Sequence, residues 1–419
     1  MKILVVSDNY SKGGLETQIN TYYNNLSSDC EMLFAFGKYI KTGLLKNAKI
    51  YEGFHFSYND TICDLCEDVN KLVEIINKEN IDVIHVHPYY CYFASLFASQ
   101  LTRVKIVYSY HGVGSFNFTK TNISQPLFLY GFESGAVARV LSVSKIGVDC
   151  YKNIGYKNAL LLGNPIDLKK FPVVQYVKNN KWLLISRLDS DKIVEIKLII
   201  SKMNDYGISH IDILGDGSEY EKLKEFIIEK NLTEKVCLKG YSNEIYSKVS
   251  NGYNGIIGIG RVVLEALAMK IPCILIGSNK ITGYVNKKIY DEIKDINFIN
   301  RTINSINNTI VNDVEIEEIH SDIVKNYEVE VVLKKYITIL KESESIYMIN
   351  LVMLYKEIIE LNKNQNLRIC YFHKERMVYN LVDKYVNKFS VINEINNIFT
   401  NSNLAYELYD GIINKINIL

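Results

Sequence analysis

The sequence has little that would tie it to a membrane, a nucleic acid or an oxidising compartment. No apolar run approaches the ~20 residues needed to span a bilayer. The opening stretch MKILVVSDNYSKGG is too short in its apolar part for a signal peptide. The expectation is a cytoplasmic protein, with room for peripheral contact at the inner face of the membrane. Excess charge is missing too: 48 Lys and Arg against 47 Asp and Glu leave a formal net charge of +1. That is no electrostatic footprint for a polyanion, so no nucleic-acid partner is expected. The eight cysteines form no framework. Cys63 and Cys66 are spaced as C-x-x-C, but no second such pair completes a zinc site, and an ordinary helix position is the simpler reading. Prolines number only five, and two of them fall in GNPIDLKKFPVV (163–174), which reads as a linker between domains.

What is present is apolar material in short β-branched runs. At 48% hydrophobic and 23% charged, a chain of 419 residues can build two cores of ordinary size. KILVVS (2–7), MLFAFG (32–37), DVIHVH (82–87), KIVYSYHG (105–112) and RVLSVS (139–144) read as buried strands, with helix-period segments between them. After the linker the pattern restarts with WLLISR (182–187), IDILGDG (211–217), VCLKG (236–240), GIIGI (255–259) and PCILIG (272–277). Alternating strands and helices predict an α/β protein with two Rossmann-like, doubly wound parallel-sheet domains and a cleft between them. The expected divisions are 1–165, 166–342 and a helical appendage over 343–419, with both cores complete without the appendage. That tail shows amphipathic helices and no strands, which suits packing, self-association or a partner protein.

The residues that can carry chemistry sit at predicted strand ends. Gly258-Ile259-Gly260 follows a strand and opens a helix, where backbone N–H groups can meet a phosphate and glycine allows close approach. Glu265 lies inside that otherwise apolar helix. It can pair with Arg261 one turn earlier, or its carboxylate can accept from the two hydroxyls of a ribose. Arg187 ends a strand and Lys192 starts the next helix, a pair able to clamp a diphosphate or simply to line a solvated loop. Asp189-Ser190-Asp191 between them has the D-x-D form of a metal site, redundant beside two cations. Gly13 and Gly14 lie between the first strand and first helix. His111 follows a strand and precedes Gly112 and Gly114. His85 and His87 share one strand face, and a structural role is the simpler reading for both.

Taken in order, GGLET, IDVIHVH, YHG, VLSVSKIGVDCYKN, LLGNPID, ISRLDSDK, ILGDGSEYEKLK, VCLKGYSNEI and GIGRVVLEALAMKIPCILIG resemble the family-4 glycosyltransferases of the two-domain GT-B fold. The resemblance runs from residue 1 to about 342, where EVVLKKYITIL looks like that family's closing helix. It implies a hexosyltransferase that moves a sugar from a nucleotide-sugar, a UDP-sugar before a GDP-sugar, with retained configuration and without a metal or other cofactor. By the same resemblance Arg187 and Lys192 bind the diphosphate and Glu265 the ribose. Gly258, Ile259 and Gly260 cradle the distal phosphate and donor sugar. His111 lies near the sugar's primary hydroxyl, and Gly13 and Gly14 form a mobile loop near phosphate and acceptor. Implied acceptors are cell-envelope or capsular polysaccharide, a lipid-linked sugar or a protein. The family pattern has a second Glu eight positions before Glu265; here that position is Ile257, which is expected to tune donor choice. Two other readings use the same fold: a non-catalytic subunit that stabilises a partner transferase, and a sugar-nucleotide 2-epimerase.

Overall fold

The computed structural model describes residues 1–364 apart from 12, 42, 58–61, 113–123, 154, 176, 243–248, 250–251 and 301–302. Among these residues the chain divides into two compact units, one formed by residues 1–162 with 333–364 and one by 163–332.

The first unit runs β1 (Lys2–Tyr10), α1 (Gly14–Asn25), β2 (Glu31–Tyr39), β3 (Lys49–Tyr51), α2 (Ile62–Glu79), β4 (Val83–His87), α3 (Cys91–Thr102), β5 (Lys105–Tyr110), α4 (Ser124–Glu133), β6 (Val137–Ser142), α5 (Lys145–Asn153) and β7 (Ala159–Leu161). Its seven strands lie in the order β3-β2-β1-β4-β5-β6-β7, all parallel. Helices cover a parallel sheet on both faces, so a central strand must be apolar on both sides. Ile3, Leu4, Val5 and Val6 of β1 are accordingly all buried.

The second unit runs β8 (Lys181–Ile185), α6 (Ile193–Ser201), β9 (His210–Leu214), α7 (Tyr220–Glu229), β10 (Val236–Gly240), β11 (Gly255–Gly258), α8 (Arg261–Ala268), β12 (Cys273–Gly277), β13 (Lys280–Tyr284), α9 (Lys287–Ile293) and α10 (Asp313–Tyr327). The strand order is β10-β9-β8-β11-β12-β13. The expected strand–helix alternation is present in both units, with one departure in the second. β13 returns antiparallel to β12, so this sheet is parallel except at one edge. The hairpin is made by Ser278 and Asn279, both left-handed with φ of 51° and 59°, as a two-residue turn of matching twist requires.

α11 (Val329–Glu342) starts in the second unit and ends in the first, since the division falls between residues 332 and 333. α12 (Ile349–Asn364) corrects the idea of a separate appendage. Its apolar positions Leu351, Leu354, Tyr355 and Ile358 recur at helical spacing and are buried in the first unit's core, beside α2 and α3. The Tyr355 and Phe97 rings lie 5.1 Å apart, and the Met348 amide donates to Gln100 Oε1 at 2.6 Å. A chain ended at residue 342 would uncover this part of the core, so the first core is not complete without the tail. The second amphipathic stretch expected there, NLAYELYDGIINKINIL, lies outside the described residues.

Cys63 and Cys66 sit on successive turns of α2, the first exposed and the second buried with its thiol pushed up to about 11 by burial. Among the described residues no helix is long and apolar enough to cross a membrane.

Candidate functional site

In the second sheet the strand order reverses between β8 and β11, which pair through Gly255 with Trp182, Ile256 with Leu183 and Ile257 with Leu184. Ligands of doubly wound sheets bind outside the carboxyl ends of strands at such a reversal. The structure brings Arg187, Lys192, Gly258, Ile259, Gly260 and the start of the Glu265 helix to the ends of these two neighbouring strands.

Arg187 is bound within its own loop. Its Nη1 donates to Asp189 Oδ2 at 2.8 Å and its Nη2 to Asp191 Oδ2 at 3.4 Å. Lys192 Nζ lies 3.4 Å from the same Asp191 oxygen. Asp189 is anchored across the loop after β9, where its Oδ1 accepts from the Ser218 amide at 3.1 Å and the Ser218 hydroxyl at 3.3 Å. Asp191 is the more exposed of the two carboxylates, with its side chain 55% exposed against 31% for Asp189. The two carboxylates thus pair with the two cations. Among the described residues no group of three or more His, Cys, Asp or Glu side chains is placed to hold a metal ion. A diphosphate arriving here has to displace Asp191. Exposed ion pairs are worth about 0.2–1 kcal/mol, so Asp191→Asn is expected to tighten UDP binding by up to about fivefold in low salt. Calorimetry showing weaker binding instead would mean that Asp191 orients the cations and does not compete.

The glycine turn is built by steric demand. A Cβ on Gly258 would stand 2.4 Å from Val262 Cγ1, so only glycine lets α8 settle on the strand end. Gly260 has φ 63° and ψ −128°, open to glycine and strained for other residues. Its amide donates to the Phe298 carbonyl at 2.8 Å. Asn297 and Phe298 are both left-handed, and Asn297 Oδ1 accepts from Asn164 Nδ2 at 2.7 Å. Nothing local in the sequence pointed to this shelf, because its members meet only through the fold. The Ile259 side chain lies over Gly277, where an added Cβ would come within 2.2 Å of Ile259 Cδ1.

Glu265 is buried, and Arg261 Nε donates to its Oε1 at 2.8 Å. Burial raises the carboxyl above its ordinary range, and the Arg261 charge opposes that rise. The i,i+4 pairing seen in the sequence is therefore formed. Ile257 is not at the site. It is fully buried in the apolar core that also contains Trp182, Leu184 and Ile274, and the expectation that it tunes donor choice is corrected by that placement.

The first sheet reverses between β1 and β4. There Asp8 accepts from the Tyr89, Tyr90 and Cys91 amides at 2.5, 3.0 and 2.6 Å, so the protein's own carboxylate caps α3. Gly13 and Gly14 open α1, and Glu16 folds back to accept from the Ser11 amide and hydroxyl at 3.1 and 3.3 Å. A Cβ on Gly13 would meet Glu16 Oε2 at 2.8 Å. A carboxylate of the chain thus already stands at this helix start. His111 stands past the end of β5 with Nε2 2.8 Å from His87 Nδ1. His85 lies beneath, its nitrogens on Tyr336 Oη and Ser109 Oγ at 2.7 and 2.8 Å. Desolvation depresses all three imidazoles, His85 to about 3 and His111 to about 4, so the cluster is neutral at pH 7. Gly114 lies outside the described residues.

Residues 47–170 match the model of glycosyltransferase family 4. No curated protein matches the chain. Among solved structures, a glycosyltransferase from Rickettsia africae shares 18% identity and a TM-score of 0.60, covering 81% of this chain and 98% of its own. Anabaena HepE, solved with UDP and glucose, shares 14% identity and a TM-score of 0.59 over 82% of this chain and 100% of its own. The lipopolysaccharide outer core galactosyltransferase WaaB shares 17% identity and a TM-score of 0.56 over 81% of this chain and 99% of its own. The chain shares the GT-B fold of these glycosyltransferases, and its residues 47–170 match the family 4 model.

Proposed function

We propose that the chain transfers a hexosyl group from a UDP-sugar to an acceptor in cell-envelope, capsular or protein glycosylation, with retained configuration and without a metal ion. The observation that carries this is the meeting of Arg187, Lys192, the Gly258–Gly260 turn and the Glu265 helix at one strand-order reversal. The diphosphate lies on the two cations, the ribose reaches Glu265, and the leaving group's growing charge is met by fixed positive groups. UDP is favoured over GDP because HepE was solved with UDP and glucose, and the pneumococcal O-GlcNAc transferase GtfA, another protein of this fold, with UDP and GlcNAc. Work at the inner membrane face, on a polysaccharide, lipid-linked or protein acceptor, belongs to the same proposal.

The test is release of nucleotide from a panel of UDP- and GDP-sugars, with and without EDTA, and the anomeric configuration of the product by NMR. UDP release unaffected by EDTA is expected. Activity lost with EDTA and restored by manganese would return the chemistry to Asp189 and Asp191. A wild type that binds no sugar nucleotide but stabilises a co-expressed transferase would be a non-catalytic subunit.

The role of Glu265 separates by a paired comparison. Glu265→Gln is expected to weaken UDP binding by about tenfold, since a hydrogen bond to a charged acceptor is worth roughly 1.5–3 kcal/mol. Arg261→Gln is expected to lower Tm with a smaller effect on UDP. If both variants lose Tm and neither loses UDP affinity by calorimetry, Glu265 serves only as the partner of Arg261.

A further inference from the structure

We propose that Glu195 takes up a proton when the diphosphate of a nucleotide-sugar settles on Arg187 and Lys192, so that donor binding is coupled to pH through a buried carboxyl group. The coupling rests on the diphosphate reading above; the placement of Glu195 does not.

Glu195 lies in the first turn of α6, three residues after Lys192, which caps that helix. It is 1% exposed, and neither of its carboxyl oxygens completes a hydrogen bond. α6 packs on β12 and β13. Two backbone amides bear on the carboxyl group, its own and that of Asn279 in the turn between those strands. The neighbouring helix positions Ile196, Ile199 and Ile200 belong to an apolar core with Ile257, Ile274 and Ile276. The charged groups that act on Glu195 are Lys192, and against it Asp191. Opposite α6, β12 carries no charged residue, and Lys280 of β13 donates to the Ile303 carbonyl at 2.6 Å.

A buried carboxylate without hydrogen bonds is costly, and a carboxyl group escapes that cost by keeping its proton. Burial accordingly raises Glu195 above the ordinary carboxylate range, while Lys192 opposes the rise and Asp191 adds to it. The positive start of α6 also favours the ion. With no partner of its own, the group is governed by the charge gathered around Lys192. In the free protein that charge includes Asp191, whose Oδ2 lies 3.4 Å from both Lys192 Nζ and Arg187 Nη2. A diphosphate esterified at both ends brings two negative charges and, by displacing Asp191, moves one away. The added negative charge favours the acid: carboxylate and a solvent proton give the carboxylic acid, and no other bond is made or broken. Binding that takes up a proton strengthens as pH falls. The gain spans the range between the titration of Glu195 in the free and in the bound protein, and is absent above it.

Calorimetry of UDP-glucose binding to the full chain, in buffers of unlike protonation heat, counts the protons taken up. UDP-glucose suits the test because its doubly esterified diphosphate does not itself titrate near neutral pH. At the steepest point between about pH 5 and 8, wild type is expected to take up about 0.3–0.7 proton, which tightens binding about two- to fivefold per pH unit. Glu195→Gln and Glu195→Met hold the position neutral. Each should lose that share of the uptake and bind at the upper end of the range as tightly as wild type does at the lower end. The difference between the proteins isolates Glu195 from Glu265 and the histidines. A wild type that takes up no proton overturns the proposal whether or not the variants fold. So does an uptake unchanged in either folded variant. A chain that binds neither UDP-glucose nor UDP-N-acetylglucosamine defeats the glycosyl-transfer reading and the coupling with it, whereas binding without the extra proton defeats the coupling alone.

Discussion

Arg187→Ala and Lys192→Ala should each lower kcat by about 10²–10³-fold while leaving the protein folded. The magnitude is that of removing one preorganised group from developing negative charge. When the bond from the anomeric carbon to the diphosphate breaks, the electron pair leaves with the phosphate oxygen, and under the proposed function the leaving group gains charge beside the two cations. Ground-state binding gains less, because Asp189 and Asp191 already neutralise the pair. Differential stabilisation of this kind appears in kcat more than in KM. Arg187→Lys should recover only part of the loss, since an ammonium cannot offer the two parallel bonds of a guanidinium. The Arg187 side chain is 58% exposed, so its removal should cost the fold within about 0.5 kcal/mol and leave Tm almost unmoved. Initial-rate kinetics beside a melting curve decide the matter. Turnover within threefold of wild type for either variant would return the loop to a solvated, non-catalytic role.

Much of this placement was legible because strand ends and helix starts leave local signs. The buried strands announced themselves as β-branched runs, and Arg187, Lys192, Gly258 and Gly260 were found by their positions just after them. The strands that escaped notice are those whose existence depends on a neighbour. β3 and β7 have three residues each and lie at the two edges of the first sheet, and β13 is held by a hairpin whose turn, Ser278-Asn279, lacks glycine. The amphipathic character of α12 was also legible, but its destination was not, since a stripe of Leu and Tyr does not say which helices it will cover. Carboxylates gave the least away. Asp8, capping α3, and Glu16, folded toward Ser11, sit where a glycine-rich loop alone would suggest an anion site. His85 and His87 were correctly placed on one strand face by their spacing, whereas the bond from His87 to His111 needed the pairing of β4 with β5.

Ile257→Glu should unfold the second unit or lower its Tm by more than 10 °C, a magnitude set by several kcal/mol of unpaired buried charge acting on a domain with roughly 5–15 kcal/mol of stability. The position lies eight before Glu265, where the family pattern has a carboxylate. What counting could not show is whether the strand had already ended there. Pairing settles that: Ile257 lies opposite Leu184 of β8 and Ile274 of β12, and β11 continues to Gly258. Its side chain therefore belongs to a face packed by a helix layer and is fully buried. A carboxylate here would have neither ligand nor water, so the substitution does not return a lost function. Ile257→Val, which removes one methylene from the same place, should cost about 0.5–1.5 kcal/mol and leave the order of donor preference untouched. The two variants together separate packing from recognition. A soluble Ile257→Glu with near-native Tm and a changed ranking of UDP-sugars would put position 257 at the ligand and overturn its assignment to the core. Loss of fold in Glu with unchanged ranking in Val would leave donor choice to groups at the carboxyl ends of β8 and β11, where Arg187, Lys192 and the glycine turn already stand.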